Sequence, residues 1–347
     1  MKIIAEQRQN LFDPAPGLFD NCHASTLAAL PSGDLLAAYF AGTREGADDT
    51  AICLSRRRDG VWGAPIRKFA EPGLAHWNPV LHADGARVML FYKVGPTVHD
   101  WVTRRAVSAY GGDTWSAPQA LVPGDRSPRG PVRTKLLVLS TGAWLAGGST
   151  ETARYWDAFV DCSTDGGETW QRVDVPLEHR PVAPRDPSGM WRGLRENALW
   201  ESDLDRAFGW DGVIQPTLWE SAPGSVHMLL RSTRGCVYRG DSHDGGTTWC
   251  AAYATSLPNN NSGLDVVHLG GGRLVLAYNP VAGNWGLRTP ISLAGSTDNG
   301  ETWSRLLDLD IGDGEFSYPA IIAAGNRLHV TYTWNRKTIV YHKLRLA

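Results

Sequence analysis

Apolar residues along this chain come in strand-length runs separated by glycine-containing turns. Six segments repeat one pattern, a strand, a turn and a second strand: HASTLAALPSGDLLAAYF, NPVLHADGARVMLFY, GPVRTKLLVLSTGAWLAG, QPTLWESAPGSVHMLLR, GLDVVHLGGGRLVLAY and YPAIIAAGNRLHVTYTW. Each of the first five leads through a further apolar run, such as AICLS or ISLAGS, into a second motif. Its copies are Ser55-RRRDGV-Trp62, Ser108-AYGGDT-Trp115, Ser163-TDGGET-Trp170, Ser242-HDGGTT-Trp249 and Ser296-TDNGET-Trp303. An Asp-Gly, Gly-Gly or Asn-Gly pair near the centre supplies the positive φ angles of a tight hairpin. Successive copies begin 53, 55, 79 and 54 residues apart, so one unit carries an insertion. A period of roughly 50 residues with four strands per unit is the signature of a β-propeller blade. The sixth unit ends at KTIVYHKLRLA, one strand short, and residues 2–12 are predicted to supply that strand. The expected fold is all-β, a single six-bladed β-propeller domain over residues 1–347 with four-stranded antiparallel blades. The insertion, about 174–212, lies between blades three and four. Its segment WRGLRENALWESDLDRAFG sets Leu194, Ala198 and Leu199 at helical spacing, which predicts a short helix narrowing the functional face.

Composition changes this picture little. The 347 residues are 42% hydrophobic and 20% charged with a formal net charge of −2, enough to bury a full core and too balanced to bind a polyanion by bulk charge. No nucleic-acid partner is expected. The 38 Gly, 21 Pro and 15 Trp supply turns and flat aromatic surfaces. The five cysteines show no metal-ligand spacing and read as buried small hydrophobes, so neither a metal nor a cofactor is expected. The start MKIIAEQRQNLF lacks the apolar core of a signal peptide, and no apolar run approaches the roughly 18 residues of a membrane span. A cytoplasmic location off the membrane is the expectation, and no oligomeric state is assigned.

The Ser–Trp motif joins the third and fourth strands of a blade. Antiparallel order then puts the start of strand one and the end of strand two on the opposite face, where the blades converge on a funnel. Those positions carry His23, Arg44, Asp48, Asp49, Trp77, Asn78, Lys93, Gln215, Arg231, Asn260, Asn279, Arg288 and Tyr318. Arg231 and Arg288 come off apolar strands, and arginine's planar fork suits bidentate binding of a carboxylate. Arg44 beside Asp48 and Asp49 also reads as a loop ion pair, and Asn259-Asn260-Asn261 as a turn.

The turn motif resembles the Asp box of the sialidase superfamily, and the chain from Asn21 to about Tyr341 is similar to a six-bladed sialidase-type propeller. Sialidases hold their substrate's carboxylate with three arginines, pair a tyrosine nucleophile with a glutamate, and use an aspartate as acid/base. The resemblance carries the second and third arginines to Arg231 and Arg288, the nucleophile to Tyr318 in FSYPAI, and the acid/base to Asp49 in REGADDTAI, with Asp48 as the alternative. Two positions depart from the family. Cys22-His23-Ala24-Ser25 stands where a Tyr/Phe-Arg-Ile-Pro motif holds the first arginine, so His23 replaces it. Ile214-Gln215-Pro216 stands where the glutamate is expected, and Gln cannot accept the tyrosine's proton. A phenol with an ordinary pKa near 10 and no base is a poor nucleophile.

Three functions fit these residues. The first is an exo-glycosidase cleaving a terminal acidic sugar, with catalytic Asp49 and Tyr318 and with Arg231 and Arg288 on the carboxylate. The second is a lyase eliminating at a uronic acid, with His23 or Tyr318 moving the proton. The third is a non-catalytic glycan-binding propeller that stacks Trp77, Trp285 and Trp334 on sugars. An acidic oligosaccharide or glycoconjugate is the expected partner, contacted also by Arg44, Asn78, Lys93, Gln215, Asn260, Asn279 and Trp77.

Overall fold

The computed structural model describes residues 1–14, 18–182 and 208–347, so most of the insertion, with its predicted helix, lies outside the described residues. Every regular element described is a β-strand, and the strands gather into antiparallel sheets in a propeller-like arrangement. Five sheets form. One runs Asn21–Ala29, Leu35–Gly42, Ala51–Arg58, with Val61–Trp62 and Ile66–Phe69 both on the last strand. The next orders Ala75–Asp84, Arg87–Gly95, Val102–Ser108 and Gln119–Ala120. The largest has eight strands, in which two antiparallel groups are joined by a two-residue parallel pairing of Tyr155 with Asp211 and Trp156 with Gly212. Asp265–His268, Leu274–Tyr278, Ile291–Ser296 and Ser304–Asp310 form a fourth sheet. In the fifth, Ile3–Asn10 pairs with Thr338–Leu346, from Ile3 opposite Leu346 to Asn10 opposite Val340. The first strand of the chain thus closes its last sheet, as the sequence predicts.

First strands of neighbouring sheets pack against one another. Asn21–Ala29 touches Ala75–Asp84 and Phe316–Ala324, and Asp265–His268 touches Asp211–Ala222 and Phe316–Ala324. Buried Asp265 ties three of them together: its carboxylate accepts from Thr217 Oγ1 at 2.7 Å, Lys135 Nζ at 2.8 Å and the Ile321 amide at 2.9 Å. Between sheets the core is aliphatic and aromatic, with Leu36, Phe40, Leu81, Leu90 and Tyr92 in one cluster.

The Ser–Trp motifs are built from local hydrogen bonds. In the copy at 163–170, Ser163 Oγ accepts from the Gly167 amide, Asp165 accepts from the Thr169 amide at 2.9 Å, and Trp170 Nε1 donates to the Gly167 carbonyl at 3.0 Å. The copies at 242–249 and 296–303 repeat this pattern. Thr169 donors hold the Asp165 carboxyl well below the usual carboxylate range. The first copy differs: Asp59 and Gly60, at φ 50° and 85°, make a two-residue hairpin between Arg58 and Val61.

A second device aims side chains inward. The pairing of first and second strands slips between His23 and Thr26, Trp77 and Val80, Ile214 and Thr217, and Ser317 and Ala320. Inside these slips sit Ala24, Asn78, Gln215 and Tyr318, with φ of 54°, 45°, 57° and 55°. A bulge of this kind re-aims the residue it contains. Left-handed backbone at non-glycine residues costs about 1–3 kcal/mol each, so the surrounding sheet must hold it.

Candidate active site

Three of those re-aimed residues, Asn78, Gln215 and Tyr318, line one cavity of about 830 Å³. No residue of the Asp-box turns lines it, which agrees with the expected opposition of the two faces. One wall is aromatic. Trp156 stacks on Trp210 at 5.0 Å between ring centroids, and Phe208 stacks on Trp285 at 4.1 Å and 7°. Trp156, Trp210 and Trp285 all face the cavity.

Half-buried Tyr318 is the focus of the charged groups. Arg231 Nη1 donates to its hydroxyl at 2.6 Å, and the guanidinium carbons of Arg133, Arg231 and Arg288 lie 5.4, 5.6 and 5.4 Å from its ring centroid. Arg231 is itself buried. Its Nε donates to Asn261 Oδ1 at 3.0 Å, its Nη2 to the Asn261 carbonyl, and Nη1 reaches Gln215 Oε1 at 3.3 Å. Four hydrogen bonds therefore fix its planar fork in direction before any substrate arrives.

A second group of charges surrounds Glu315. Arg288 Nη1 donates to it at 2.7 Å, Arg336 Nε at 3.1 Å, and Arg336 also pairs with Glu45. Burial alone would raise the Glu315 pKa, but Arg288 and Arg336 outweigh it and hold the carboxyl far below its ordinary value. Cationic Arg44, Arg231, Arg288, Arg336 and Lys337 line the cavity with Asp20, Glu45, Glu151 and Glu315. Glu151 differs from the other carboxyls: burial pushes it up to about 7 against the pull of Arg231, and its Oε1 is buried with no partner among the described residues.

Of the residues singled out in the sequence, Tyr318, Arg231, Arg288, Gln215, Arg44, Asn78, Trp77 and Trp285 line the cavity together. The others lie elsewhere. Fully buried His23 packs its ring 4.1 Å from that of Tyr318, with Nδ1 hydrogen-bonded to Thr333 Oγ1 at 2.9 Å. Burial, then Arg336, lowers its pKa well below the ordinary value, so the imidazole is neutral. Asp49 turns back on its own loop, accepting from the Thr43 amide at 3.1 Å and the Thr43 hydroxyl at 3.0 Å. Lys93 donates to Thr103 Oγ1 at 2.7 Å and to the Arg129 carbonyl, and burial pushes it down to about 7. Asn260 ties down the Leu287 carbonyl at 2.6 Å, and Asn279 those of Pro290 and Phe316, both at 2.8 Å.

Sequence reasoning missed Glu151, Glu315, Trp156 and Trp210. Glu151 ends the second strand of its hairpin, so the positional rule that found Arg231 reaches it as well; Glu315 stands three residues before Tyr318 in GEFSYPAI. Among the described residues, no group of three or more His, Cys, Asp or Glu is placed to hold a metal ion.

The model of the BNR repeat-like domain matches residues 33–330. The chain belongs to that family. Its Asp-box repeats agree with that model, and its fold is similar to that of solved sialidases. Among solved structures it is similar to a Dyadobacter fermentans protein of unknown function, with a TM-score of 0.70 at 15% identity over 100% of this chain and 98% of that one. It is similar also to the NanB sialidase of Streptococcus pneumoniae, with a TM-score of 0.71 at 12% identity over 97% of this chain and 70% of that one. Trypanosoma rangeli sialidase, in its covalent-intermediate complex with 2,3-difluorosialic acid, gives 0.70 at 13% identity over 94% of this chain. The chain spans about half of that protein, 54%. No curated protein matches.

Proposed function

We propose that this protein is a single-domain, six-bladed propeller enzyme of sialidase type that cleaves the glycosidic bond of a terminal acidic sugar. Six blades are supported by six left-handed residues at the inner ends of the hairpins. Besides the four within register slips, these are Arg133 at φ 72° and Asn261 at φ 57°. The short parallel pairing in the eight-stranded sheet then reads as the seam between two blades.

The observation that carries the function is the 2.6 Å bond from Arg231 to the Tyr318 hydroxyl within a cavity also lined by Arg288. The sugar's carboxylate pairs with Arg231 and Arg288 through charge-assisted hydrogen bonds. The aromatic wall covers an apolar face of the ring. Tyr318 oxygen then bonds to the anomeric carbon as the glycosidic bond breaks; its proton leaves to water, and the departing oxygen receives a proton. Asp49 supplies that proton if seating of the glycan releases it from Thr43. Water later cleaves the tyrosyl–sugar bond and restores the phenol.

Elimination at a uronic acid is the second reading, favoured by Gln215 where a carboxylate base would stand. In that case Tyr318 removes the proton next to the sugar carboxylate while Arg231 binds that carboxylate. Incubation with sialosides and with uronate oligosaccharides, followed both by new reducing ends and by absorbance of an unsaturated uronate, separates the two. Release of a saturated acidic sugar supports the hydrolase; the unsaturated product alone overturns it in favour of the lyase; no product from either set overturns both.

A further inference from the structure

Glu151 is the one carboxyl lining the cavity with a buried oxygen that has no hydrogen-bond partner among the described residues. Its side chain is nine-tenths buried at the end of Trp144–Glu151. The other two glutamates in the lining are committed, Glu45 to Arg336 and Glu315 to Arg288 and Arg336. A buried polar atom with no partner destabilises the empty cavity, and a ligand bearing the complementary group relieves it.

The groups acting on it set its state. Arg231 and Lys93 favour its charged form and Glu45 disfavours it, while the ring of His99 bonds the Glu151 carbonyl rather than its carboxyl. Arg231 is thus shared: it is the cation nearest in effect to Glu151 and the one that would hold the sugar's carboxylate. It cannot fully satisfy two anions at once. An ionised Glu151 draws on the positive charge of Arg231 and repels the substrate's carboxylate, whereas a protonated Glu151 leaves that charge to the substrate and offers an O–H to an acceptor oxygen of the sugar.

We propose that Glu151 is the proton-bearing specificity residue of this cavity: protonated, it donates a hydrogen bond to the acidic sugar, and on ionising it turns the cavity against that anion. This rests on the acidic-sugar reading above and adds to it the residue that makes binding proton-linked. Desolvation brings the titration of Glu151 close to neutral pH, so the effect falls where it is measurable. The sign follows from linkage. Below about pH 7 the proton is already present and affinity is level; above it, binding must take up a proton, and Kd rises toward about ten-fold per pH unit.

Two measurements on the full chain test this. The protonated-carboxyl infrared band of Glu151, identified by its loss in Glu151→Gln, is followed against pH without added sugar. Calorimetric titration with N-acetylneuraminic acid and with galacturonic acid, in two buffers of different ionisation enthalpy, gives Kd and proton uptake. The expected result is a band that titrates near neutrality, proton uptake above about pH 7, and a flat Kd in Glu151→Gln. A carboxyl already ionised at about pH 5, or proton uptake that persists in Glu151→Gln because Lys93 or another group supplies it, overturns the inference and leaves the acidic-sugar reading standing. Failure of both acids to bind overturns that reading and this inference with it.

Discussion

Arg231 Nη1 stands 2.6 Å from the Tyr318 hydroxyl and donates a hydrogen bond to it. A guanidinium has no acceptor, so the phenol oxygen is the acceptor and its own proton points elsewhere. The two residues come from different sheets, one near the end of a second strand and the other in a bulge within a first strand. Their meeting at the inner ends of both hairpins is what makes the cavity more than a gap between sheets.

Replacing Arg231 by Ala is expected to weaken binding of an acidic sugar by about 2–4 kcal/mol, since a charge-assisted, largely buried contact is lost. Stability is expected to fall too, because Gln215 and Asn261 lose their donor. Arg288→Ala should weaken binding with a smaller loss of stability, as Arg288 is less buried and its main partner, Glu315, keeps Arg336. Calorimetric Kd values and melting temperatures of both variants check the pair. Unchanged Kd in both would remove the anion site.

Gln215→Glu is expected to raise hydrolysis of a sialoside by about a hundred-fold or more, the low end of what a positioned base contributes, roughly 10²–10⁴-fold. Gln215 Oε1 already faces Arg231 at 3.3 Å, so a carboxylate there is charge-compensated. kcat/KM for wild type and variant decides it. A variant no faster than wild type argues that Tyr318 does not act as a nucleophile short of a base.

His23 bears on stability against pH. Its folded pKa is depressed below the ordinary value near 6.5 by burial, as are those of His329 and His342, each to about 4. The unfolded chain therefore binds protons that the folded one refuses, and stability is lost as pH falls below about 6.5. Melting temperature between about pH 7 and 4.5 is expected to drop, and less steeply in His23→Gln, which has no proton to gain. An identical slope in both would mean that His23 is charged when folded. His23→Arg, attractive from sequence as a restored family arginine, would instead bury a full charge against the Tyr318 ring and is expected to unfold the protein more readily.

Much of this was legible in the chain itself, because hairpin turns have strict backbone requirements that Ser, Asp and Gly meet at fixed spacing. The same rule placed Arg231, Arg288 and Tyr318 at the inner ends of strands, and they line one cavity. What was not legible depends on rotamers and neighbours. Asp49 carries the right chemistry in the right loop, yet Thr43 supplies it two donors there. Lys93 and Asn279 sit at strand ends like Arg231, but each finds a carbonyl within its own wall. Glu151 reads as an ordinary strand-end glutamate until its burial is known.

Asp244 gives a control for the fold. It accepts from the Thr248 amide and hydroxyl at 2.9 and 2.6 Å in a turn remote from the cavity lining. Asp244→Ala is expected to lower the melting temperature by a few degrees while leaving Kd for an acidic sugar unchanged. A changed Kd would connect the two faces.

The claim that this chain breaks a glycosidic bond through Tyr318 is tested most directly by covalent trapping. Incubation with 2,3-difluorosialic acid, proteolysis and mass spectrometry should show the peptide containing Tyr318 carrying the fluorinated sugar, with no adduct in Tyr318→Phe. Turnover of sialosides with no adduct on Tyr318, or an adduct that survives in Tyr318→Phe, would contradict it.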